Sequence, residues 1–248
     1  MRYFIQFAYN GTKYHGWQVQ PNASSVQETL TYCLNTLFRE SFEIVGAGRT
    51  DAGVHATKMY AHFDLEKDDL EVTDVKCIKK INSFLPEDIT VYKIFEVAAD
   101  AHARFDATER TYEYHIHTFK NSFLKDLSCY HFHSLDIEAM NRAAKILLDY
   151  TDFECFSKTH TDVFTFNCEI YQAYWKQEND RLIFTISANR FLRNMVRAIV
   201  GTLINIGMGK LQPEDMHHII QSKNRGKAGF SVPAHGLYLI DVKYPYIP

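Results

Sequence analysis

A strand–helix–strand pattern recurs in both halves of this chain, and it limits the folds that the sequence can adopt. In the first half, residues 2–9 alternate apolar and polar side chains as a strand does, and Ser25 with Glu28 forms a capping box at a helix start. That helix carries an apolar stripe formed by Val26, Leu30, Cys33, Leu34 and Leu37. The sequence predicts further strands near 42–45, 57–65 and 89–97, and a second helix over 73–83.

The second half repeats the pattern. Asp136 is placed to cap a helix whose apolar stripe is formed by Met140, Ala143, Ala144, Leu147 and Leu148. The sequence predicts strands over 111–118, 164–177, 181–188 and 237–242, a helix over 191–206 and a short helix from Pro213. Strands mixed with segregated helices indicate the α+β class.

One charged loop, Gly46–Ala56, lies between two predicted strands. It holds the carboxylate of Asp51 between Arg49 and His55, and its glycines let a ligand approach the backbone. Charged loops on a rigid scaffold often carry chemistry. The other interpretation is a tight turn in which Thr50 or Asp51 caps backbone groups.

The loop resembles the active-site signature of the TruA family of tRNA pseudouridine synthases. Four further segments match motifs of that family in the same order, and together the five form a specific match along the whole chain. They are 9–18, 103–108 with 110–112, 191–197, and 236–239. The segment 229–232 departs from the family pattern.

The resemblance implies an α+β fold of two ferredoxin-like subdomains. These would share a continuous mixed or antiparallel sheet with helices on one side and a central active-site cleft. The N-terminal subdomain, residues 1–103, would carry the catalytic aspartate loop. The C-terminal subdomain, residues 104–248, would carry the stacking tyrosine and a basic helix.

The resemblance also implies the reaction, which is isomerisation of uridine to pseudouridine at positions 38, 39 and 40 of the tRNA anticodon stem-loop. No atom is gained or lost, so no cofactor is expected. Asp51 would be the catalytic carboxylate, and attack on the sugar, addition to the base and assistance to glycal formation all stay open. A single carboxylate disfavours an ordinary glycosidase, which uses two.

Strand alternation places Tyr112, Tyr114 and Ile116 on one face. From the residues alone, all three are candidates for the core. By resemblance, Tyr112 is instead the tyrosine that stacks on the target uracil and takes the proton from C5.

Arg190, Arg193 and Arg197 are spaced three and four apart, so on the predicted helix they would share one face. A solvated basic face is one interpretation. By resemblance, Arg197 is a buried partner that keeps the catalytic aspartate ionised, and Arg190 and Arg193 contact phosphate.

The remaining candidate substrate contacts are Arg49, His55 and the loop that contains Lys13, Tyr14, Trp17 and Gln18. By resemblance, Arg49 helps to expel the target nucleotide from its stack. Basic and aromatic residues together are common in RNA recognition. The alternative is a surface turn that Trp17 anchors.

Charge is segregated along the chain. The net charge is -3, which disfavours a general nucleic-acid binder, but residues 188–210 hold four cations and no acid. Residues 64–74 hold six acids and one lysine. The sequence therefore predicts a basic site on an acidic protein, with tRNA as the partner and, by resemblance, a homodimer as the active form.

Other classes of protein fit less well. No apolar run is long enough to cross a bilayer and the N-terminus has no signal-peptide pattern, so we expect a cytoplasmic protein without a membrane partner. The five cysteines are scattered, which indicates reduced thiols. The pairs His115–His117 and His131–His133 lack a third ligand, so no metal site is predicted.

Two rival functions stay open. One is an RNA-binding module or folding chaperone without turnover. The other is a nucleoside or RNA N-glycosidase, which would release uracil.

Overall fold

The computed structural model describes residues 1–66, 71–158 and 164–247. Asp68 and Asp69 of the acidic segment lie outside the described residues. The chain forms two compact units, which we call unit 1 (residues 1–108 and 239–248) and unit 2 (residues 109–238). The subdomain boundary after residue 103 stays a prediction.

Unit 1 is built around an antiparallel sheet. Its strands are ordered β4-β1-β3-β2, with Ile5 of β1 opposite both Ala61 of β3 and Ile94 of β4. This is the β-α-β-β-α-β order of a ferredoxin-like fold. The elements are β1 (Arg2–Tyr9), α1 (Val26–Phe38), β2 (Val45–Gly46), β3 (His55–Asp64), α2 (Val75–Phe84) and β4 (Ile89–Val97).

Unit 2 has a similar order of elements, with an additional short strand and an additional helix. Its strands are ordered β5-β8-β7 with antiparallel pairing, and β6 runs parallel to β5. The elements are β5 (Glu109–His117), β6 (Cys129–Tyr130), α3 (Ile137–Ile146), β7 (Ile170–Glu178), β8 (Arg181–Ala188), α4 (Met195–Gly207), α5 (Asp215–Gln221) and β9 (Leu237–Lys243). The last five residues of β9 belong to unit 1. The predicted α+β class with mixed strand pairing is confirmed.

The sequence signals that set the helices act as expected. The backbone N–H of Glu28 donates to Ser25 Oγ at 3.2 Å, and that of Ala139 donates to Asp136 Oδ1 at 2.9 Å. The stripe of α1 is buried at Val26, Leu30, Cys33 and Leu34, so it faces the core. The stripe of α3 is buried as far as Leu147, whereas Leu148 is 43% exposed. No helix in the described part of the chain combines the length and apolar character needed to span a membrane.

A buried histidine in unit 1, His62, is expected to make folding depend on pH. His62 is 5% exposed, and its Nδ1 accepts a hydrogen bond from the backbone N–H of Ala103 at 3.1 Å. Burial, followed by the like charges of Arg2 and His102, lowers the pKa of His62 to about 4, while Asp64 and Asp106 act in the opposite direction. In the unfolded chain, the pKa of a histidine is about 6.5.

Because the folded-state pKa is the lower one, the neutral ring stabilises the fold fully above pH ~6.5. This contribution is lost as the pH falls towards the folded-state pKa of about 4. We expect His62→Asn, which keeps an acceptor for Ala103, to lose less thermal stability than the wild type over this interval. Melting temperatures of both proteins at pH 7 and pH 4.5 test this. Equal losses would show that His62 does not cause the pH dependence.

Candidate active site

The loop between β2 and β3 forms a hydrogen-bonded turn at Asp51. The backbone N–H of Val54 donates to the carbonyl oxygen of Asp51 at 3.1 Å, and Gly53 has φ +78°. Just before the turn, the hydroxyls of Thr50 and Tyr9 are hydrogen-bonded at 2.9 Å. The Asp51 side chain is partly exposed. The backbone that carries the carboxylate is therefore fixed on both sides.

The loop of residues 10–18 packs against this turn through its backbone. The carbonyl oxygen of Tyr14 accepts from the N–H of Gly53 at 3.2 Å, and the N–H of Trp17 donates to the carbonyl oxygen of Thr50 at 3.3 Å. Gly16 lies between these bonds with φ +93°, and a Cβ there would be 2.3 Å from the Thr50 carbonyl oxygen. Only glycine fits this approach without a shift of the backbone.

His55 joins the two loops from the first position of β3. It is 2% exposed, and its Nδ1 accepts a hydrogen bond from the backbone N–H of Gly11 at 3.0 Å. Tyr14 and Trp17 are also buried, at 8% and 3% exposure. These three predicted site residues therefore hold the loops together, whatever else they contact.

The other predicted contacts of unit 1 lie at the surface. Lys13, Gln18 and Arg49 are all exposed. Arg49 Nε donates to Gln18 Oε1 at 2.5 Å, so the two loops are also joined at their outer side. Unit 1 thus brings together every site residue that the sequence predicted within it.

Tyr112 lies in β5 of unit 2, opposite Ile186 of β8. Tyr114 and Ile116 on the same strand face are fully buried, whereas Tyr112 is partly exposed. Its ring meets that of Phe191 edge-on, with centroids 5.2 Å apart. Core packing therefore explains Tyr114 and Ile116, whereas the core does not fully enclose Tyr112.

The predicted helical face of three arginines is wrong. α4 begins at Met195, so Arg190 and Arg193 precede it and only Arg197 is helical. The reason is Asn194, which has φ +67° and interrupts the right-handed backbone. Arg193 is exposed in the turn before α4, whereas Arg190 and Arg197 are partly buried.

Residues 225–232, for which the sequence predicted no role beyond the departure of 229–232 from the family pattern, hold the start of α4. Arg197 Nε donates to the carbonyl oxygen of Val232 at 2.7 Å, and the N–H of Val232 donates to that of Arg197 at 3.2 Å. Ser231 Oγ lies 2.6 Å from Asn194 Nδ2 and 2.9 Å from Arg225 Nη2. A usable sequence signal existed, because residues 222–236 hold three cations and no acid.

Neither histidine pair forms a metal site within the described residues, where no group of three or more potential protein ligands is found. His115 Nε2 lies 2.8 Å from Glu113 Oε2, and the His117 ring stacks on Tyr130 with centroids 5.4 Å apart. The rings of His131 and His133 are 5.8 Å apart, centroid to centroid.

This chain matches one protein family and several relatives over most of its length. The profile of a family described as tRNA pseudouridine synthase matches residues 5–106 and 143–245. A tRNA pseudouridine synthase A of Bacteroides fragilis is 54% identical over 246 residues, which cover 98% of this chain and 96% of the relative. The Parabacteroides distasonis protein of that name is 54% identical over 98% of this chain and 96% of its own. The one from Caldicellulosiruptor bescii is 39% identical over 97% and 98%.

We expect Gly16→Ala to separate the two loops, because the added methyl group meets a backbone oxygen and the residue must keep a positive φ. The free energy of unfolding should fall by about 1–3 kcal/mol. In a Trp175→Phe background, the fluorescence of Trp17 should shift to the red as water reaches the indole. Unchanged stability and an unchanged emission maximum would show that the two loops tolerate separation.

Proposed function

Because this chain belongs to the tRNA pseudouridine synthase family, whose members are isomerases that convert uridine to pseudouridine, we propose that it acts on uridines 38, 39 and 40 of the tRNA anticodon stem-loop. Asp51 is the catalytic carboxylate in this proposal. The observation that carries it is the Asp51 turn, which lies within the family match and is fixed by the loop of residues 10–18.

The reaction needs few groups from the protein. The bond between N1 and C1′ breaks, the uracil turns, C5 bonds to C1′, and the proton on C5 leaves as N1 regains one. Atoms and electrons balance within the substrate, so the proposal includes no cofactor. The requirements are a carboxylate, a surface that holds the detached uracil and a group that accepts the C5 proton.

Asp51 meets the first requirement. Its main chain is held by the Val54 bond and its neighbour Thr50 is held by Tyr9, so the backbone that carries the carboxylate is held in place. Such positioning lowers the entropy cost of the step. Attack on C1′, addition to the pyrimidine and help in forming a glycal are all consistent with a carboxylate held in this way.

Tyr112 meets the other two requirements in the proposal. Its partly exposed ring offers a face for the uracil, and the edge-on contact with Phe191 fixes the orientation of the ring. Stacking of a base on an aromatic ring is worth roughly 1–3 kcal/mol. The phenolic oxygen then accepts the C5 proton as its own hydroxyl proton passes to water, and N1 regains a proton from water.

The cations of each unit supply the RNA contacts. Lys13 and Arg49 are exposed beside the Asp51 turn in unit 1, and Arg193 is exposed before α4 in unit 2 with Arg190 close in sequence. We assign Arg190 and Arg193 to phosphate, Arg49 to nucleotide expulsion and Arg197 to support of the carboxylate. The proposal also includes a cytoplasmic homodimer in which one subunit holds the tRNA body while the other acts on the anticodon arm.

We expect Asp51→Asn to fold, to bind tRNA and to form no pseudouridine, because the amide keeps the size of the side chain but loses its charge and nucleophilicity. Purified protein free of wild-type enzyme should be assayed for pseudouridine and for released uracil. Turnover by the variant would contradict the role of Asp51. Release of uracil by the wild type would favour the N-glycosidase, and absence of both products would favour an RNA-binding module.

The arginines should divide into two groups. Arg193→Ala should weaken tRNA binding and reduce its salt dependence, since each phosphate contact releases condensed counterions. Arg190→Ala should behave in the same way. Arg197→Ala should mainly lower the rate at saturating tRNA, because it acts on the carboxylate. Binding titrations at several salt concentrations with single-turnover rates check this. Equal losses of affinity at all three positions with unchanged rates would contradict the division.

A further inference from the structure

Asp88 contacts the loop of residues 10–18 through its backbone and its side chain. It lies just before β4, and its side chain is 15% exposed. Its backbone oxygen accepts from the N–H of Asn10 at 2.8 Å, and its Oδ1 accepts from the hydroxyl of Tyr14 at 2.6 Å. Its Oδ2 lies 3.4 Å from Lys13 Nζ. Three acceptors of one residue therefore contact a segment of five residues.

Tyr14 is held at both ends as a result. The hydroxyl donates to Asp88, and the carbonyl oxygen accepts from the N–H of Gly53 at 3.2 Å. Burial and the hydrogen bond to Asp88 raise the pKa of Tyr14, so the hydroxyl keeps its proton and donates. Gly53 lies inside the turn that the Asp51 carbonyl closes with Val54. A contact path of two hydrogen bonds thus links Asp88 to the turn that carries Asp51.

The ion pair with Lys13 is the weaker of the two side-chain contacts. The Lys13 side chain is 81% exposed, and its nitrogen is 3.4 Å from the carboxylate. Exposed pairs of this kind contribute little. A hydrogen bond from a buried hydroxyl to a carboxylate is shorter and stronger. The effect of Asp88 on the loop should therefore act through Tyr14.

We propose that Asp88 is a positioning residue for the isomerisation, which fixes Tyr14 and through it the backbone turn at Asp51. The proposal rests on the catalytic role proposed for Asp51. Asp88 does not contact the reacting atoms in this account. Loss of the Asp88 side chain lets Tyr14 move and weakens its hydrogen bond to Gly53. The orientation of the Asp51 carboxylate is then disturbed, although no group proposed to bind RNA has been removed.

The test uses the full-length protein with Asp88→Ala, Asp88→Asn, Tyr14→Phe and the double variant Asp88→Ala/Tyr14→Phe. Single-turnover rates on one anticodon-arm RNA are measured together with the Kd for that RNA and the melting temperature. Asp88→Ala and Tyr14→Phe should each slow the step by about 10- to 100-fold, while the Kd changes by less than about threefold. The double variant should be no slower than the slower single variant, because both remove one interaction.

Asp88→Asn and a control variant, Asp241→Asn, separate positioning from general stability. Asp88→Asn keeps an oxygen that accepts from Tyr14, so it should retain most of the rate. Asp241→Asn removes the ion pair to Lys58, whose atoms are 2.7 Å apart in the same unit, without touching either loop. It should leave the rate unchanged even where the melting temperature falls.

Several outcomes would overturn the proposal. One is a folded Asp88→Ala protein that reacts at the wild-type rate. Another is a double variant in which the rate losses of the two single variants add up. A third is a loss of RNA affinity with no loss of rate. If Asp88→Ala does not fold, Tyr14→Phe and Asp88→Asn decide, because Tyr14→Phe keeps Asp88 and removes only the bond. An inactive Asp51→Asn protein together with a fully active Asp88→Ala protein would refute the role of Asp88 and leave the role of Asp51 intact. An active Asp51→Asn would refute the proposed function itself.

Discussion

The packing of the loop of residues 10–18 on the Asp51 turn is the interaction on which the candidate site depends. It consists largely of backbone hydrogen bonds. These restrict the position of the loop relative to the turn, because each bond has a narrow range of distance and angle. Gly16 permits the close approach of the two backbones, and the rings of Tyr14 and Trp17 are buried beneath the loop. The backbone that carries the Asp51 carboxylate is therefore held in place, which suits a reaction that requires a defined orientation of the carboxylate.

The same physical principle operates in unit 2. There, Arg197 is bound through both its backbone and its guanidinium to Val232, and Ser231 joins Asn194 to Arg225. In each unit, a residue proposed for catalysis is held by a segment distant in sequence, and the ferredoxin-like order of elements brings those segments together. The scaffold supplies rigid strands, and the loops carry the chemistry.

Local signals in the sequence predicted most of the fold. β4 was predicted over its full length, and the caps at Ser25 and Asp136 form the expected hydrogen bonds, because periodicity and capping act over a few residues. The arginine stripe failed because spacing cannot reveal that Asn194 takes a left-handed backbone. The roles of Asp88 and Ser231 were not predicted, because Asp88 contacts Tyr14 and Ser231 contacts Asn194 across long stretches of the chain, and only tertiary structure brings them together.

We propose that this chain converts uridine to pseudouridine in the anticodon arm through Asp51. Mapping of pseudouridine at single-nucleotide resolution in total tRNA tests it most directly. The comparison needs the source strain, a strain that lacks the gene, and that strain complemented with wild-type or Asp51→Asn protein at equal levels. The account predicts loss of pseudouridine at positions 38, 39 and 40, with restoration by the wild type alone. Unchanged modification in the strain without the gene, or restoration by Asp51→Asn, would contradict it.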